Sequence, residues 1–520
     1  MTSEPQRQPT LSCNACKERK RKCGRGLPKC SLCAKKGLVC EYPSRRRREH
    51  SQLHTQFPAY PSPQSSTITS TSTTQTPTAN TVSKTSEFPS VFYLDNLVFQ
   101  RSLVPKPSLI SHVPLSVSVT SVIGDASNWA FIAAEYFKTV HAWMPIVSKK
   151  RFFENVPTLG TMATPLRSDY ALLILSMVLS MWMPQEQNPR TATYLAAKTF
   201  YLDLEIQGVV SIQVLQALIL IALYETGHAI FPSAAVSVEA CVRYGQALGI
   251  NWDARYPEKK PFAWVDREEQ NRVWWAVFML ECVSRVGYPR NSALVENPSP
   301  DVHLPSDTFA WDRGTMPAKN LTILQPRSNQ DLGPFATMAE ATRLLSQVLE
   351  HVSAKNTDEQ LHIEEALILD RALKALECVV EYEGDYNRLS IMNQTTLCSI
   401  SLLTLHEAHA SKQSDTSEYF RTVHHAKSIT KDTKKSQEEF TRSLTDVAPI
   451  HSCIKEASPF ITTLLYQAAI ANLRLDQESG SEESSEALQI MKGTLRHFDS
   501  RWKASGAYLR ILEAREVSAM

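Results

Sequence analysis

Six cysteines lie within the 28 residues from Cys13 to Cys40, and their spacing repeats. Residues 13–23 read C-x2-C-x6-C, and residues 30–40 read C-x2-C-x6-C again, so the second half is the first half shifted by 17 positions. A segment this short buries too little apolar surface to offset the loss of chain entropy on folding. Something other than a hydrophobic core must therefore hold it together.

Thiolate ligation of zinc fits this spacing. Each C-x2-C pair can chelate one tetrahedral zinc ion. Two separate tetrahedra need eight ligands, so six sulfurs suffice only if two of them are shared. The first cysteine of each half is placed to face the other half, which makes Cys13 and Cys30 the natural bridging pair. The sequence thus predicts two Zn2+ held by Cys13, Cys16, Cys23, Cys30, Cys33 and Cys40.

Three other interpretations of these cysteines are weaker. Three disulfides need an oxidising compartment, and residues 1–12 lack the apolar segment of a secretion signal. A RING or LIM type module needs eight ligands, yet no cysteine or histidine follows Cys40 until His50. A metallothionein-like metal sink would have denser cysteines and no reason for a cationic strip. The remaining cysteines are predicted to be buried small apolar side chains: Cys241, Cys282, Cys378, Cys398 and Cys453.

The net charge of +2 hides a strong asymmetry. Between residues 13 and 50 there are thirteen Lys or Arg against three Glu, a net charge of +10, whereas residues 51–520 carry −8. Six thiolates and two Zn2+ lower the charge of the basic segment only to +8. A basic head on a mildly acidic body indicates that the head contacts a polyanion.

The head resembles the fungal binuclear zinc cluster, Zn2Cys6, DNA-binding domain. Its cysteines fit that family's spacing without a departure, the basic run "KERKRK" stands between the second and third cysteines, and Pro28 stands two residues before the fourth. The resemblance implies that residues 13–40 form a metal-dependent domain with two Zn2+ as cofactor. It also implies a partner, double-stranded DNA, read at a CGG-type triplet by a short helix in the major groove.

The same resemblance implies roles for the basic run. Lys20 resembles the lysine that donates to guanine O6 and N7, as the major groove allows, and the carbonyls of Arg19 and Lys20 would accept from cytosine. Lys17, Arg21 and Lys22 are expected at phosphates, where they set affinity and not sequence. A solvated surface charge is the alternative for any one of these lysines or arginines.

Two basic clusters are typical of nuclear import, although such strips also contact DNA. They are Arg19, Lys20, Arg21 and Lys22, and then Arg45, Arg46, Arg47 and Arg48. Both uses predict a nuclear protein.

A change in composition follows the arginines. From Ser65 to Ser86, 15 of 22 residues are Ser or Thr, which predicts that residues 41–96 are a basic and then disordered linker. Pro58, Pro61 and Pro63 interrupt any heptad that could pair two heads as a coiled coil. A homodimer through the body, or a monomer on one triplet, therefore stays open.

The body, residues 97–520, shows helical periodicity. "SIQVLQALILIALYETGHA" has apolar residues all round and predicts a buried helix. "DREEQNRVWWAVFMLECVSRVG" predicts a helix that opens with Asp266 and Glu269 as a capping box. Its longest apolar run, Ala171 to Met183, falls short of a bilayer span, so no membrane contact is expected. The fold class that follows is a small metal-dependent domain and a large all-α domain joined by a disordered linker.

Several phrases of the body resemble the fungal-specific transcription factor domain. They include "EYFKTVHAWMPIVSKKRFF", "CVRYGQALGINWD" and "DVHLP", and they fall within about residues 125–310. The resemblance implies a regulatory domain and a pathway-specific activator of RNA polymerase II genes, for example of a secondary-metabolite cluster, that works with the transcription machinery or coactivators. The alternative is a transcriptional cofactor or repressor that acts mainly through protein partners. A small-molecule effector stays unnamed.

No catalytic constellation stands out, so the sequence predicts a protein that is not an enzyme. His406, Glu407 and His409 miss the spacing of a zinc protease motif, which needs histidines four apart, and are expected on a helix surface. The tryptophans of the body are expected to pack in the core: Trp143, Trp182, Trp264, Trp274 and Trp275.

Overall fold

The protein is described by a computed structural model. It describes residues 12–19, 21–41, 113–155, 166–184, 188–252, 264–286, 293–316, 332–354, 359–382, 388–410, 454–479 and 482–519. The chain divides into two compact units, Met1–Val82 and Ser83–Met520. Lys20, Arg45 to Arg48 and the linker after Glu41 lie outside the described residues, so their assigned roles stay predictions.

Every regular element in the described ranges is helical, which confirms the predicted fold class. The first unit contains α1 (Asn14–Glu18) and α2 (Ser31–Lys35). The second unit begins with α3 (Val117–Ile123), α4 (Ala126–Lys138), α5 (Lys149–Asn155), α6 (Ser168–Ser180), α7 (Ala192–Ile206), α8 (Ile212–Gly227) and α9 (Ser233–Ala247). It continues with α10 (Trp264–Val286), α11 (Thr308–Arg313), α12 (Pro334–Ser353), α13 (Glu359–Tyr382), α14 (Arg388–Ala410), α15 (Phe460–Ser479), α16 (Glu482–Phe498) and α17 (Ala504–Ala519).

Side-chain caps fix where several of these helices begin. Asp125 accepts hydrogen bonds from the N–H groups of the first turn of α4, and Thr191 and Ser211 do the same for α7 and α8. Each cap satisfies a backbone donor that has no partner within the helix. The starts of these helices are therefore encoded locally.

The helices of the body share one continuous core that extends from Val119 to Leu512. Helix α8 lies at its centre and packs against α6, α9 and α10. Thirteen of its sixteen residues are buried, which confirms the all-round buried helix predicted from its apolar residues. Helices α12, α13, α14 and α15 continue the packing toward the carboxyl end.

A buried arginine joins α10 to the loop before α11. Arg272 is fully buried, and its Nε donates to Glu268 Oε1 at 2.7 Å. It also donates to the carbonyl of Ser306, and its guanidinium lies 4.2 Å from the ring centroid of Trp311. Each of these contacts offsets part of the cost of burying the charge.

The predicted capping box at Asp266 and Glu269 is wrong. Helix α10 already begins at Trp264, so both residues lie inside it. Glu269 is buried and accepts from the N–H of Ser148 and from the side chain of Gln216, both on other elements. Burial raises the pKa of its carboxyl to about 7. A tertiary partner has therefore taken the carboxylate that the local pattern assigned to a cap.

Two further expectations need correction. His406 and His409 lie on a helix, but they are buried and not on its surface, because α14 packs against α12, α13 and α15. Cys378 is exposed, whereas Cys241, Cys282 and Cys398 are buried as expected and Cys453 lies outside the described residues.

The tryptophans divide by burial. Trp143, Trp274 and Trp275 are buried in the core, and Trp182 and Trp264 are half-buried. None of the described helices combines the length and the apolar composition needed to cross a lipid bilayer.

Candidate zinc cluster and nucleic-acid interface

The two halves of the cysteine segment fold alike. Cys13 and Cys30 stand at the starts of α1 and α2 in the same extended conformation, with φ near −64° and −68°. The N–H of Lys17 donates to the carbonyl of Cys13, and the N–H of Ala34, 17 residues later, donates to that of Cys30. The repeat of the sequence is thus a repeat of backbone structure.

The ends of the segment also meet. The N–H of Asn14 donates to the carbonyl of Glu41 at 2.9 Å. This bond closes the segment into a loop around its sulfur atoms.

The six sulfur atoms form two overlapping sets of four. One set is Cys13, Cys16, Cys23 and Cys30, and the other is Cys13, Cys30, Cys33 and Cys40; within each set all sulfurs lie within 4.8 Å of one another. Cys13 and Cys30 belong to both sets, and their Sγ atoms are 3.9 Å apart. These are the two residues that the sequence predicts as bridging ligands.

The sulfur separations match the edges of a zinc–thiolate tetrahedron. With a Zn–S bond of about 2.3 Å, two sulfurs on one ion lie about 3.8 Å apart. The observed Sγ separations are 3.7 Å for Cys13 and Cys33, 3.7 Å for Cys16 and Cys30, and 3.8 Å for Cys13 and Cys23. They are far longer than a disulfide bond of about 2.05 Å. Cys16 and Cys33, one from each set, are also 3.9 Å apart.

Burial and hydrogen bonding shift the pKa values of these thiols in opposite directions. Burial raises the pKa of Cys13 and Cys33, and it raises the pKa of Cys16 to about 12. The N–H of Cys33 donates to Cys30 Sγ at 3.4 Å and lowers the pKa of Cys30 to about 6. Backbone hydrogen bonds from Cys13 and Arg25 lower the pKa of Cys23. Zinc binds thiolates, so its binding here must release protons and weaken in acid.

Cationic side chains cover the surface around the sulfurs. Lys17, Arg19, Arg21 and Lys22, four of the five residues assigned to DNA contact, are all exposed. They begin on α1 and continue into the residues that follow it. A positive surface of this kind attracts a polyanion and leaves the donors accessible.

The sequence assigns no role to four cations between Cys23 and Cys40, two of them between the halves and two in the second half. Lys35, Lys36, Arg25 and Lys29 are exposed as well. The 17-residue shift places Lys36 at the position of Arg19, so the duplication was the signal that could have found it. These residues make the head cationic on both halves.

The cysteine sets and the helical body together define a class: a protein with a two-zinc thiolate cluster and a separate all-α domain. Residues 11–49 match the fungal Zn(2)-Cys(6) binuclear cluster domain, and residues 133–378 match the fungal specific transcription factor domain. The second match extends beyond residue 310, where the sequence stretches that resemble this domain end.

Named relatives are fungal transcription regulators. Transcription factor BOA15 of Botryotinia fuckeliana (strain B05.10) is 38% identical over 184 residues, which cover 35% of this chain and 98% of that protein. The citrinin biosynthesis transcriptional activator mrl3 of Monascus ruber is 26% identical over 312 residues, 53% of this chain and 60% of that protein. The notoamide biosynthesis cluster transcriptional coactivator notQ' of Aspergillus versicolor is 46% identical over 44 residues, 8% of this chain and 9% of that protein.

The chain belongs to the family of fungal Zn(2)-Cys(6) transcription factors that carry a fungal specific transcription factor domain. The binuclear cluster of this family binds two zinc ions, and the two four-cysteine sets fit them. When bound, the ions supply the cross-links that fold the head.

Proposed function

We propose that this protein is a nuclear, sequence-specific DNA-binding activator of one biosynthetic pathway, and that it binds CGG-like triplets through its zinc cluster. The observation that carries the proposal is the pair of four-cysteine sets sharing Cys13 and Cys30 beneath an exposed cationic surface. The name of mrl3, a biosynthesis transcriptional activator, supports the pathway role.

The proposal gives each head residue a task. One Zn2+ is held by Cys13, Cys16, Cys23 and Cys30, and the other by Cys13, Cys30, Cys33 and Cys40. Lys20 reads guanine, the carbonyls of Arg19 and Lys20 read cytosine, and phosphates bind Lys17, Arg21 and Lys22. The basic clusters at 19–22 and 45–48 direct nuclear import.

The proposed domain limits are those of the sequence: 13–40 for the cluster, 41–96 for the linker and 97–520 for the regulatory domain. The body is proposed to contact coactivators or the transcription machinery, and we propose no catalytic role for it. A homodimer would pair through this body, because Pro58, Pro61 and Pro63 interrupt a coiled coil after the cluster.

Genome-wide occupancy of the intact tagged protein tests the proposal. We expect enrichment of CGG-type triplets upstream of one co-regulated gene set, and loss of that enrichment in Cys13→Ala. Cys378→Ala is the matched control, because it removes an exposed body thiol and should leave occupancy unchanged. Absence of a triplet in the occupied sites would contradict the proposal.

The second candidate is a cofactor or repressor recruited by protein partners, and the name of the coactivator notQ' favours it. In that case occupancy survives Cys13→Ala and Lys20→Ala. Reporter transcription from an occupied site separates the two, because only the first candidate requires both residues.

A further inference from the structure

Three histidines from three helices of the body meet at one point. His351 lies near the end of α12, His362 near the start of α13 and His409 near the end of α14. One ring nitrogen of each lies within 4.8 Å of those of the other two. We call this group the histidine triad. Its members are buried, with 2%, 8% and 9% of their surfaces exposed.

The three imidazole rings lie against one another. Nε2 of His351 lies 3.0 Å from Nε2 of His409. The rings of His351 and His362 are stacked, with centroids 3.9 Å apart and planes 11° apart. The His362 and His409 centroids are 5.1 Å apart. The triad is therefore compact.

A carboxylate orients the first ring. Glu365 Oε2 lies 2.8 Å from Nδ1 of His351. A carboxylate accepts, so Nδ1 carries the proton, and in the neutral ring Nε2 then carries a lone pair that points toward His409. A metal-ligating histidine typically has this second partner, which fixes its tautomer and raises its basicity.

We propose that the histidine triad is a transition-metal site of the regulatory domain that takes Zn2+ or another ion of the same borderline class. Imidazole nitrogen suits zinc, copper and nickel, whereas calcium and magnesium require oxygen ligands. The inference is independent of DNA binding by the head.

One pair of nitrogens is already close to the separation that zinc needs. With Zn–N bonds of about 2.0–2.1 Å, two nitrogens on one tetrahedral ion lie about 3.4 Å apart. The nitrogens of His351 and His409 are already near that separation. The rings of His351 and His362 are stacked in nearly parallel planes, so the His362 side chain must also turn to another rotamer for its lone pair to meet the same ion.

Three protein ligands leave a fourth position on a tetrahedral ion. Glu365, which contacts His351, has 52% of its side chain exposed, so the triad lies one residue beneath the surface. A water molecule is the smallest ligand that would complete the tetrahedron. A bound ion would also tie the ends of α12 and α14 to the start of α13, and so make the stability of the body depend on metal.

Metal stoichiometry of the full chain tests the proposal. Native mass spectrometry in excess zinc should find three ions per chain, two in the head and one in the triad. His362→Ala and His409→Gln should each retain two. His303→Ala, which removes an exposed histidine of the same domain, should retain three. Two ions in the wild-type chain, or a third ion that persists in both triad variants, would overturn the proposal.

Cobalt gives a readout that needs no variant. Co2+ added to the full chain that carries two Zn2+, enough for the head alone, should show visible d–d absorption without a thiolate-to-cobalt band, since its ligands are imidazoles. The added ion should also raise the thermal unfolding temperature of the body. If Co2+ produces neither the absorption nor the thermal shift, the triad is only a hydrogen-bonded cluster and the proposal fails.

Discussion

Replacing one lysine in each half of the head tests whether only the half assigned to DNA contacts phosphates. Lys22 follows α1 in the half assigned to DNA, and Lys36 follows α2 in the other half; both are exposed. We expect Lys22→Ala to remove one phosphate contact. Lys36→Ala removes the same charge from a comparable position and should remove none.

The magnitude follows from counterion release. If the head neutralises about five phosphates, log affinity falls with log salt at a slope of about −4.5, and one contact fewer makes it about −3.6. From 50 to 200 mM salt the affinity should then fall about 500-fold for wild type and about 150-fold for Lys22→Ala. Lys36→Ala should keep the wild-type slope.

Fluorescence anisotropy of a labelled duplex containing one CGG triplet measures these slopes with the full chain. A scrambled duplex of the same length should give the same slope change for Lys22→Ala, because phosphate contacts carry no sequence information. The reasoning is refuted if Lys36→Ala flattens the slope as much as Lys22→Ala, or if neither changes it.

Three further outcomes follow from particular residues. Lys20→Ala should abolish the preference for the triplet while Lys22→Ala keeps it, which competition binding with scrambled DNA measures; equal loss in both contradicts the assigned roles. Arg272→Met leaves Glu268 buried without its cation and should lower the free energy of unfolding by about 3–5 kcal/mol in denaturant titrations. The Glu269 pKa of about 7 lies above its unfolded value, so its contribution is full below about pH 4.5 and is lost as pH rises toward 7, by on the order of 3 kcal/mol; Glu269→Gln should lack this slope.

Controls for the stability predictions come from the same domain. Arg313→Met alters an exposed arginine at the end of α11, and it should change the free energy of unfolding by less than about 0.5 kcal/mol. A similar loss in Arg313→Met and Arg272→Met would show that buried charge is not the cause. If wild type and Glu269→Gln have parallel pH profiles between 5 and 7, the raised pKa is not a property of the folded body.

What the sequence could predict was set by local pattern. The cysteine spacing is short range, and each C-x2-C pair stands at the start of a helix, so the two sets of four could be read directly. The apolar residues of α8 and the caps at Asp125 and Ser211 are equally local. The all-α class of the body and the two four-cysteine sets can therefore be predicted without knowing how the helices pack.

What it could not predict depends on contacts between distant segments. The local pattern predicts a cap at Glu269, because nothing local reveals that Ser148 and Gln216 donate to its carboxylate. The sequence predicts a surface position for His409, because its partners, His351 and His362, come from two other helices, 58 and 47 positions earlier in the chain. Lone histidines carry no spacing signal, so the histidine triad emerges only when the helices pack.

The central claim is that two zinc ions, sharing Cys13 and Cys30, fold the head into a surface that reads DNA. Anisotropy of the CGG duplex against its scrambled counterpart tests it most directly, with the full chain before and after zinc removal by a chelator. We expect triplet preference with zinc, its loss on removal and its return when zinc is restored. Preference that persists without metal, or zinc-loaded protein that binds both duplexes equally, would contradict the account.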